Sequence, residues 1–310
     1  MIRPDFLTKG DKIAIVATAR KVSPEEIQPS VDLFRSWGLE VLYDDRLFAA
    51  DNQFAGSDEL RTACLQQYLD NPEVKAIVCA RGGYGTVRII DRLDFTAFAR
   101  HPKWIVGYSD VTVLHSHIHN NLDISTLHAT MPLNIPADAM EKSYPSIESL
   151  KAVLFGNLQY YNASQLLTHS SEHNRRGRCR GQLVGGNLSI LYSLCGSASD
   201  ISTEGKILFI EDLDEYLYHI DRMMQNLKRT GKLQKINGLI VGAMSDMHDN
   251  TIPYGKTAEE IVLEAVADYD YPVLFSENFG HVGTENLALP LGVEVEMFVG
   301  EGDVSLRFCW

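Results

Sequence analysis

The sequence lacks the features that mark membrane-spanning and exported proteins. No apolar run among its 310 residues approaches the twenty or so that are needed to cross a bilayer. Residues 1–6 also lack the charged and apolar regions of a signal peptide, so a cytoplasmic protein is expected. With 45% hydrophobic and 22% charged residues, the composition is that of a globular protein with one large or two ordinary domains.

Cysteine is scarce, and its distribution argues against a disulfide framework. The cysteines are odd in number, scattered, and lie mostly within apolar runs, which is typical of buried free thiols rather than of disulfides or zinc ligands. The five cysteines are Cys64, Cys79, Cys179, Cys195 and Cys309.

Positive charge is scarce as well. Lys and Arg number 28 against 41 Asp and Glu, and the net charge of −13 would repel nucleic acid and an anionic membrane. The one clear basic cluster, residues 175–180, has no interleaved aromatic residues and is interpreted as part of a linker. We therefore expect neither a nucleic-acid partner nor a membrane partner.

The first half of the chain alternates between strand and helix patterns. Apolar, β-branched runs at 12–17, 39–43 and 74–80 predict parallel strands that are covered on both faces. Helix starts follow two of them, because Ser23 precedes Pro24 and a capping-box Glu, and Ser57 precedes a second helical pattern. This order predicts a doubly wound α/β sheet, whose ligand site lies at the carboxyl ends of the strands. A further helix is predicted through Ile89, Ile90 and Leu93.

A polar stretch without periodicity, at about 159–180, separates the two halves. It predicts an N-terminal domain over 1–160, a linker over 161–179 and a C-terminal domain over 180–310. In the C-terminal half, residues 181–187 are interpreted as a turn that opens a helix. Apolar runs predict strands at 206–210, 238–243 and 272–275, and a closing β-hairpin at 293–299 and 304–309.

A strand-to-helix elbow is predicted at residues 104–111, which read Trp-Ile-Val-Gly-Tyr-Ser-Asp-Val. An apolar run that ends in Gly, with a Ser two places later and a helix beyond it, is the pattern that presents a nucleophilic hydroxyl. Ser109 is therefore the candidate nucleophile. The pattern is incomplete because Val111 replaces the second Gly of the hydrolase elbow, and a plain N-cap serine is the alternative.

Glu211 and His281 also follow apolar strands, and they could complete a catalytic set with Ser109. A serine hydroxyl needs a base within hydrogen-bond reach, and that base needs an anion that fixes its tautomer. A surface ion pair for Glu211 and a turn role for His281 remain open from spacing alone. Asp212, next to Glu211, is the second candidate for the carboxylate. The three histidines of the helix after Ser109, His115, His117 and His119, are expected to be structural rather than metal ligands.

Five motifs occur in one order along the chain. They are Gly82-Gly83-Tyr84-Gly85, residues 107–110, residues 185–188, Ile210-Glu211-Asp212 with residues 221–223, and Gly280-His281 followed by residues 289–292. Together they resemble the LD-carboxypeptidase family of serine peptidases, which also includes the microcin C immunity hydrolases. The resemblance extends over almost the whole chain, from Gly10 to Gly292.

The resemblance implies a flavodoxin-like, doubly wound N-terminal domain and a smaller, β-rich α/β C-terminal domain, commonly in a homodimer. It implies a cytoplasmic enzyme of peptidoglycan recycling that removes the terminal D-alanine from murein tetrapeptides, with no metal and no other cofactor. Carried over by position, Ser109 is the nucleophile, His281 the general base and Glu211 its orienting carboxylate. The oxyanion hole falls on the backbone N–H groups of Asp110 and Gly83. Residues expected to contact the muropeptide are Gly82, Tyr84 and Asn187.

One departure and two alternatives qualify this interpretation. Many relatives have His-Gly-Pro where this chain has His128-Ala129-Thr130, so His128 receives no role. An immunity-type hydrolase of peptidyl-nucleotides would need a stacking surface, and none of the three tryptophans lies in the middle linker where the immunity enzymes carry theirs. These tryptophans are Trp37, Trp104 and Trp310. Outside the family, the alternative is a non-catalytic α/β protein that seats a small anion at Gly82-Gly83.

Overall fold

A parallel sheet forms the centre of the first part of the chain. The computed structural model describes residues 1–310. The strands are β1 (Lys12–Val16), β2 (Glu40–Leu42), β3 (Val74–Cys79), β4 (Trp104–Val106) and β5 (Thr126–His128). Their spatial order is β2-β1-β3-β4-β5, and all four pairings are parallel. This is the flavodoxin-like order, so the predicted doubly wound fold is confirmed.

Helices connect these strands. They are α1 (Pro24–Ser36), α2 (Asp58–Asp70), α3 (Thr96–Arg100), α4 (Thr112–Leu122) and α5 (Pro145–Leu154). The predicted capping box of α1 is present, because the Glu26 N–H donates to Ser23 Oγ at 3.3 Å and the Ser23 N–H donates to the Glu26 carboxylate at 2.7 Å. Ser57 caps α2 as predicted.

The helix predicted through Ile89, Ile90 and Leu93 is wrong. Two 3₁₀ turns, Thr86–Arg88 and Ile90–Arg92, occupy this segment. Gly85 enters the first turn with a φ of +151°, and Leu93 leaves the second with extended backbone, so no continuous helix forms. Ile89 and Ile90 are nevertheless buried, which explains why their spacing suggested an apolar helix face.

The second part of the chain begins with a short strand and builds another sheet. Its strands, in chain order, are β6 (Tyr160–Tyr161), β7 (Gly177–Asn187), β8 (Ile207–Leu213), β9 (Gly238–Ser245) and β10 (Val273–Phe275). Its helices are α6 (Ala163–Leu166), α7 (Leu188–Leu194), α8 (Leu217–Arg229) and α9 (Ala258–Ala265). Strands β7 to β10 are parallel neighbours. The predicted strands at 206–210, 238–243 and 272–275 are thereby confirmed.

After β10 the chain returns to the first sheet and then completes the second. Strand β11 (Leu289–Leu291) lies next to β5, at the edge of the first sheet. Strands β12 (Glu294–Val299) and β13 (Val304–Cys309) form the predicted antiparallel hairpin. The second sheet therefore has the order β10-β9-β8-β7-β12-β13-β6, with antiparallel pairing from β7 through β12 and β13 to β6.

Residues 181–187 are part of strand β7, so the predicted turn is wrong. Glycine is present because the neighbouring strand is close: a Cβ on Gly185 would lie 1.9 Å from the carbonyl oxygen of Phe209. The basic cluster at 175–180 is likewise not a free linker, because Arg178 and Arg180 lie in β7 and Arg180 pairs with Glu294 on β12.

The chain divides into two compact units. The first comprises residues 1–158 and 283–290, and the second comprises 159–282 and 291–310. No helix combines the length and the apolar character that are needed to cross a bilayer.

All five cysteines are free thiols, as predicted. The predicted burial is confirmed for Cys64 and Cys79 and is wrong for the other three, which are partly exposed.

Candidate active site

Ser109 lies at the turn between β4 and α4, in strained backbone. Its φ of +64° is a left-handed conformation that residues with a side chain seldom adopt, and Gly107 before it has a φ of +154°. The predicted elbow is confirmed. The N-cap positions of the 3₁₀ turn at Ser109–Val111 and of α4 are Tyr108 and Val111, so Ser109 is not a helix N-cap. A strained, partly exposed serine after a strand is typical of a nucleophile.

Gly82 lies directly against this serine. A Cβ on Gly82 would lie 2.9 Å from Ser109 Cβ, 3.0 Å from Ser109 Oγ and 3.5 Å from the backbone nitrogen of Asp110. Glycine is therefore required for the loop after β3 to pass the hydroxyl. Gly83 follows with a φ of +110° and is exposed.

The side chain of Asp110 connects the elbow to the same loop. Its Oδ2 accepts the backbone N–H of Thr86 at 2.9 Å, three residues after Gly83, and the side chain is 1% exposed. Burial raises the pKa of Asp110, although hydrogen bonds from Thr86 and Gly85 oppose this shift. The Asp110 carboxylate thus ties the elbow to the loop that contains Gly82 and Gly83.

His115 supports the elbow from inside helix α4. Its Nε2 lies 2.9 Å from the carbonyl oxygen of Gly107, and because a carbonyl only accepts, Nε2–H is the donor. Complete burial lowers the pKa of His115 to about 4, so the ring is neutral near pH 7. The sequence predicts a structural role for this histidine, but its spacing does not identify Gly107 as the partner.

Glu211 and His281 form a buried pair in the second unit. Glu211 is 0% exposed near the end of β8, and its Oε2 lies 2.7 Å from His281 Nδ1. The carboxylate only accepts, so Nδ1–H donates to it and Nε2 is the ring nitrogen that can take a proton. Burial by itself lowers the pKa of His281, but the charge and hydrogen bond of Glu211, with the charge of Asp212, outweigh it and leave the pKa raised.

Glycine also makes room for this pair. Gly280, with a φ of +108°, would place a Cβ 2.6 Å from Glu211 Oε2, and a Cβ on Gly242 in β9 would lie 3.0 Å from Glu211 Cβ. Backbone therefore lies close to the Glu211 carboxylate at Gly280 and close to its Cβ at Gly242. Ser245 Oγ donates to the carbonyl oxygen of His281 at 3.1 Å and fixes the backbone of that residue.

Asp212 has a different partner from Glu211. It accepts hydrogen bonds from Asn187 Nδ2 at 2.9 Å and from the Ser189 N–H at 2.8 Å. Burial, followed by the charge of Glu211, raises the pKa of Asp212 to about 7. Asn187 Oδ1 in turn accepts the Ile190 N–H at the start of α7, so this network joins the ends of β7 and β8. Of the two candidate carboxylates, Glu211 is the one that bonds His281.

Two further residues from the sequence analysis are Tyr84 and His128. Tyr84 is exposed, with its ring 6.2 Å from the ring of Phe54. His128 is buried at the end of β5, 5.6 Å from the ring of Tyr108. The first unit carries Gly82, Gly83, Tyr84, Ser109 and Asp110, and the second carries Asn187, Glu211 and His281.

Groups of these kinds occur in serine-type hydrolases. One unit presents a strained serine beside a glycine loop with backbone donors, and the other presents a histidine whose tautomer is fixed by a buried carboxylate. Such groups serve as nucleophile, oxyanion donors and general base.

Comparison with known proteins gives the family. A family model described as the LD-carboxypeptidase N-terminal domain matches residues 13–129, and one described as the C-terminal domain matches residues 180–297. A probable murein peptide carboxypeptidase from Bacillus subtilis (strain 168) is 34% identical over 306 residues, covering 96% of this chain and 92% of that protein. The chain belongs to the LD-carboxypeptidase family of serine-type peptidases.

Solved structures show the same fold. The muramoyltetrapeptide carboxypeptidase from Oxalobacter formigenes superposes with a TM-score of 0.83 at 26% identity, over 96% of this chain and 98% of that one. The microcin C7 self immunity protein MccF, in complex with aspartyl sulfamoyl adenosine, gives a TM-score of 0.81 at 20% identity, over 99% and 98%. The second likeness is one of fold alone.

Proposed function

We propose that the protein removes the terminal D-alanine from murein tetrapeptides, by cleaving the bond between the L centre of the diamino acid and the D residue. Family membership and the carboxypeptidase relatives support this substrate. The observation that carries the chemistry is the strained Ser109 together with the 2.7 Å pair between Glu211 and His281.

In the proposed acylation step, Ser109 Oγ attacks the carbonyl carbon of the scissile bond while its proton passes to His281 Nε2. Glu211 stabilises the imidazolium that forms. The backbone N–H groups of Asp110 and Gly83 donate to the oxyanion, and each such donor is typically worth about 3 kcal/mol. The intermediate collapses when His281 returns the proton to the leaving amine, which releases D-alanine and leaves the tripeptide as an ester on Ser109.

Deacylation uses the same groups with water as the nucleophile. His281 takes one proton from water, the hydroxide attacks the ester carbonyl, and the proton returns to Ser109 Oγ as the C–O bond breaks. The tripeptide leaves with a new carboxyl group, which loses its proton to solvent.

The finer parts of the proposal concern binding, assembly and location. Gly82, Tyr84 and Asn187 are proposed to line the muropeptide site; the exposure of Tyr84 and the closeness of Gly82 to Ser109 support the first two. The resemblance to the family supports a homodimer in the cytoplasm. A sedimentation-equilibrium mass of twice 34.7 kDa tests the dimer.

Release of D-alanine from a murein tetrapeptide tests the reaction. The wild type should release it, and Ser109→Ala should lower kcat on the order of 10⁶-fold, because a triad acts as a unit. Ser193→Ala is a matched control, since Ser193 is exposed on α7 and bonds only within that helix. Undiminished release by Ser109→Ala would overturn the assignment.

Two parallel assays separate the alternatives. Cleavage of a peptidyl-adenylate in preference to the tetrapeptide would indicate an immunity-type hydrolase. A serine-directed phosphonate should label the wild type at Ser109, and failure to label it, together with no D-alanine release, would indicate a non-catalytic binding protein.

A further inference from the structure

A carboxypeptidase must recognise a free terminal carboxylate, and the residues described above include no cation for this purpose. That negative charge lies one residue beyond the scissile bond, about 3.8 Å along the chain. A protein with a net charge of −13 would repel it unless a local positive group intervened. Arginine is the side chain best suited to a carboxylate, because its guanidinium donates two parallel hydrogen bonds.

The side chain of Arg20 lies next to Gly83, in the glycine loop that passes Ser109. A Cβ built on Gly83 would lie 2.6 Å from Arg20 Cδ, 2.7 Å from its Cγ and 2.8 Å from its Nε. Gly82, the adjacent residue, is the one whose Cβ would lie 3.0 Å from Ser109 Oγ. Arg20 and the serine hydroxyl therefore contact two consecutive residues of one loop, and all four residues belong to the first unit.

The other arginines around this loop are already occupied. Arg61 is buried and bonds Asp58 and the carbonyl oxygens of Thr18 and Gly85. Arg88 pairs with Asp58 as well.

Arg81 also has a partner, because its Nη1 donates to the carbonyl oxygen of Lys21 at 3.1 Å. Arg20, by contrast, is exposed and makes no hydrogen bond or ion pair with any side chain of the protein. Its stem lies next to Gly83, and its guanidinium donors are available for a ligand.

We propose that the Arg20 guanidinium binds the terminal carboxylate of the D-residue that leaves. This role rests on the proposed function. It also explains why position 83 is glycine beyond its positive φ, since any side chain there would displace the stem of Arg20.

Two peptides that differ only in the terminal charge test the role: murein tetrapeptide with a free carboxylate, and the same peptide with a terminal amide. Release of D-alanine and of D-alaninamide is followed by mass spectrometry. The wild type should favour the free acid by roughly 10- to 100-fold in kcat/KM, as expected for a hydrogen-bonded charge. Arg20→Met should lose this preference, because only release of D-alanine from the free acid should become slower. Arg20→Lys should retain part of the preference.

Lys21→Met is the matched control, because it removes the same charge from the exposed neighbouring residue and should keep the preference. If Arg20→Met slows both peptides equally, or still favours the acid, Arg20 does not bind the carboxylate. A wild type that releases nothing from either peptide would instead contradict the proposed function.

Discussion

Glycines lie next to Ser109 and Glu211 because the neighbouring side chains leave no room for a Cβ atom. Gly82 faces the Ser109 hydroxyl, Gly83 faces Arg20, and Gly280 faces the Glu211 carboxylate. In each case a Cβ would come closer than 3.0 Å to a side-chain atom of the candidate site. These glycines therefore bear on activity more directly than glycines that only allow a turn.

Gly82→Ala is expected to lower kcat by about 100-fold, because a Cβ 2.9 Å from Ser109 Cβ must displace the serine, and small misplacements cost this much. Its backbone is not left-handed, so the thermal midpoint should change little. Gly10→Ala is the opposite control: its φ is +91° with no atom within 4 Å, so it should lose roughly 1 kcal/mol of stability and keep its activity. Steady-state kinetics and thermal unfolding compare the two, and full activity in Gly82→Ala would contradict this account.

At the level of secondary structure, strand ends present the candidate catalytic groups. Ser109 follows β4, the glycine loop follows β3, and Glu211 lies near the end of β8. Within the first sheet, parallel pairing brings the ends of β3 and β4 to one edge, where ligand sites lie in such folds. Helix α4 is tied to the elbow by the hydrogen bond that His115 donates to the Gly107 carbonyl.

Glu211→Gln is expected to lower kcat on the order of 10⁴-fold, since an amide no longer fixes the tautomer or stabilises the imidazolium. It should also lower the pKa of His281, because burial remains after the carboxylate that raises it is removed. Acylation needs neutral His281, so kcat/KM should rise with pH through the pKa of this histidine, which the pair with Glu211 raises above 6.5. In Glu211→Gln this inflection should move to lower pH. NMR titration of the His281 ring, assigned with His281→Gln, checks the shift, and an unmoved pKa would contradict it.

The same pair makes stability depend on pH. Because the pKa of His281 is raised by folding, the folded protein binds this proton more tightly than the unfolded chain. Its contribution is fully present below about pH 6.5 and is lost as the pH rises through the folded pKa. Urea unfolding of wild type and Glu211→Gln should therefore differ most on the acidic side of this range.

At the level of the whole molecule, the first unit is completed by a segment from late in the chain. Residues 283–290 return to it, β11 lies next to β5, and the Ala288 N–H donates to Ser149 Oγ at 3.0 Å. The predicted N-terminal domain over 1–160 does not contain this segment. Without β11, strand β5 would be an open edge, and open edges promote association.

Residues 1–160 expressed alone are therefore expected to aggregate or to unfold with low cooperativity. The same fragment joined through a flexible linker to residues 283–292 should be monomeric and should unfold in one transition, because β5 regains its neighbour. Light scattering and urea unfolding compare the two. Equal behaviour of both fragments would show that 1–160 is a domain by itself.

Local sequence patterns predicted many of the secondary-structure elements of this protein. Apolar runs, N-caps and the elbow sequence predicted most of the strand and helix order, the doubly wound α/β sheet and the position of Ser109, because burial and capping act over a few residues. The flavodoxin-like strand order was implied by the resemblance to the family. Local pattern failed where glycine was ambiguous: Gly185 marks close strand pairing rather than a turn, and Gly85 opens a 3₁₀ turn where a helix was expected through Ile89.

Only the tertiary structure decided the partners. Three contacts could not be predicted from sequence periodicity. His281 bonds Glu211 rather than Asp212, His115 bonds the Gly107 carbonyl, and Arg20 lies next to Gly83. Arg20 and Glu211 are separated along the chain from the groups they contact by about sixty to seventy residues, a distance that only folding closes. Sequence determined which elements form and which chemical groups stand at their ends, whereas packing determined which of those groups meet.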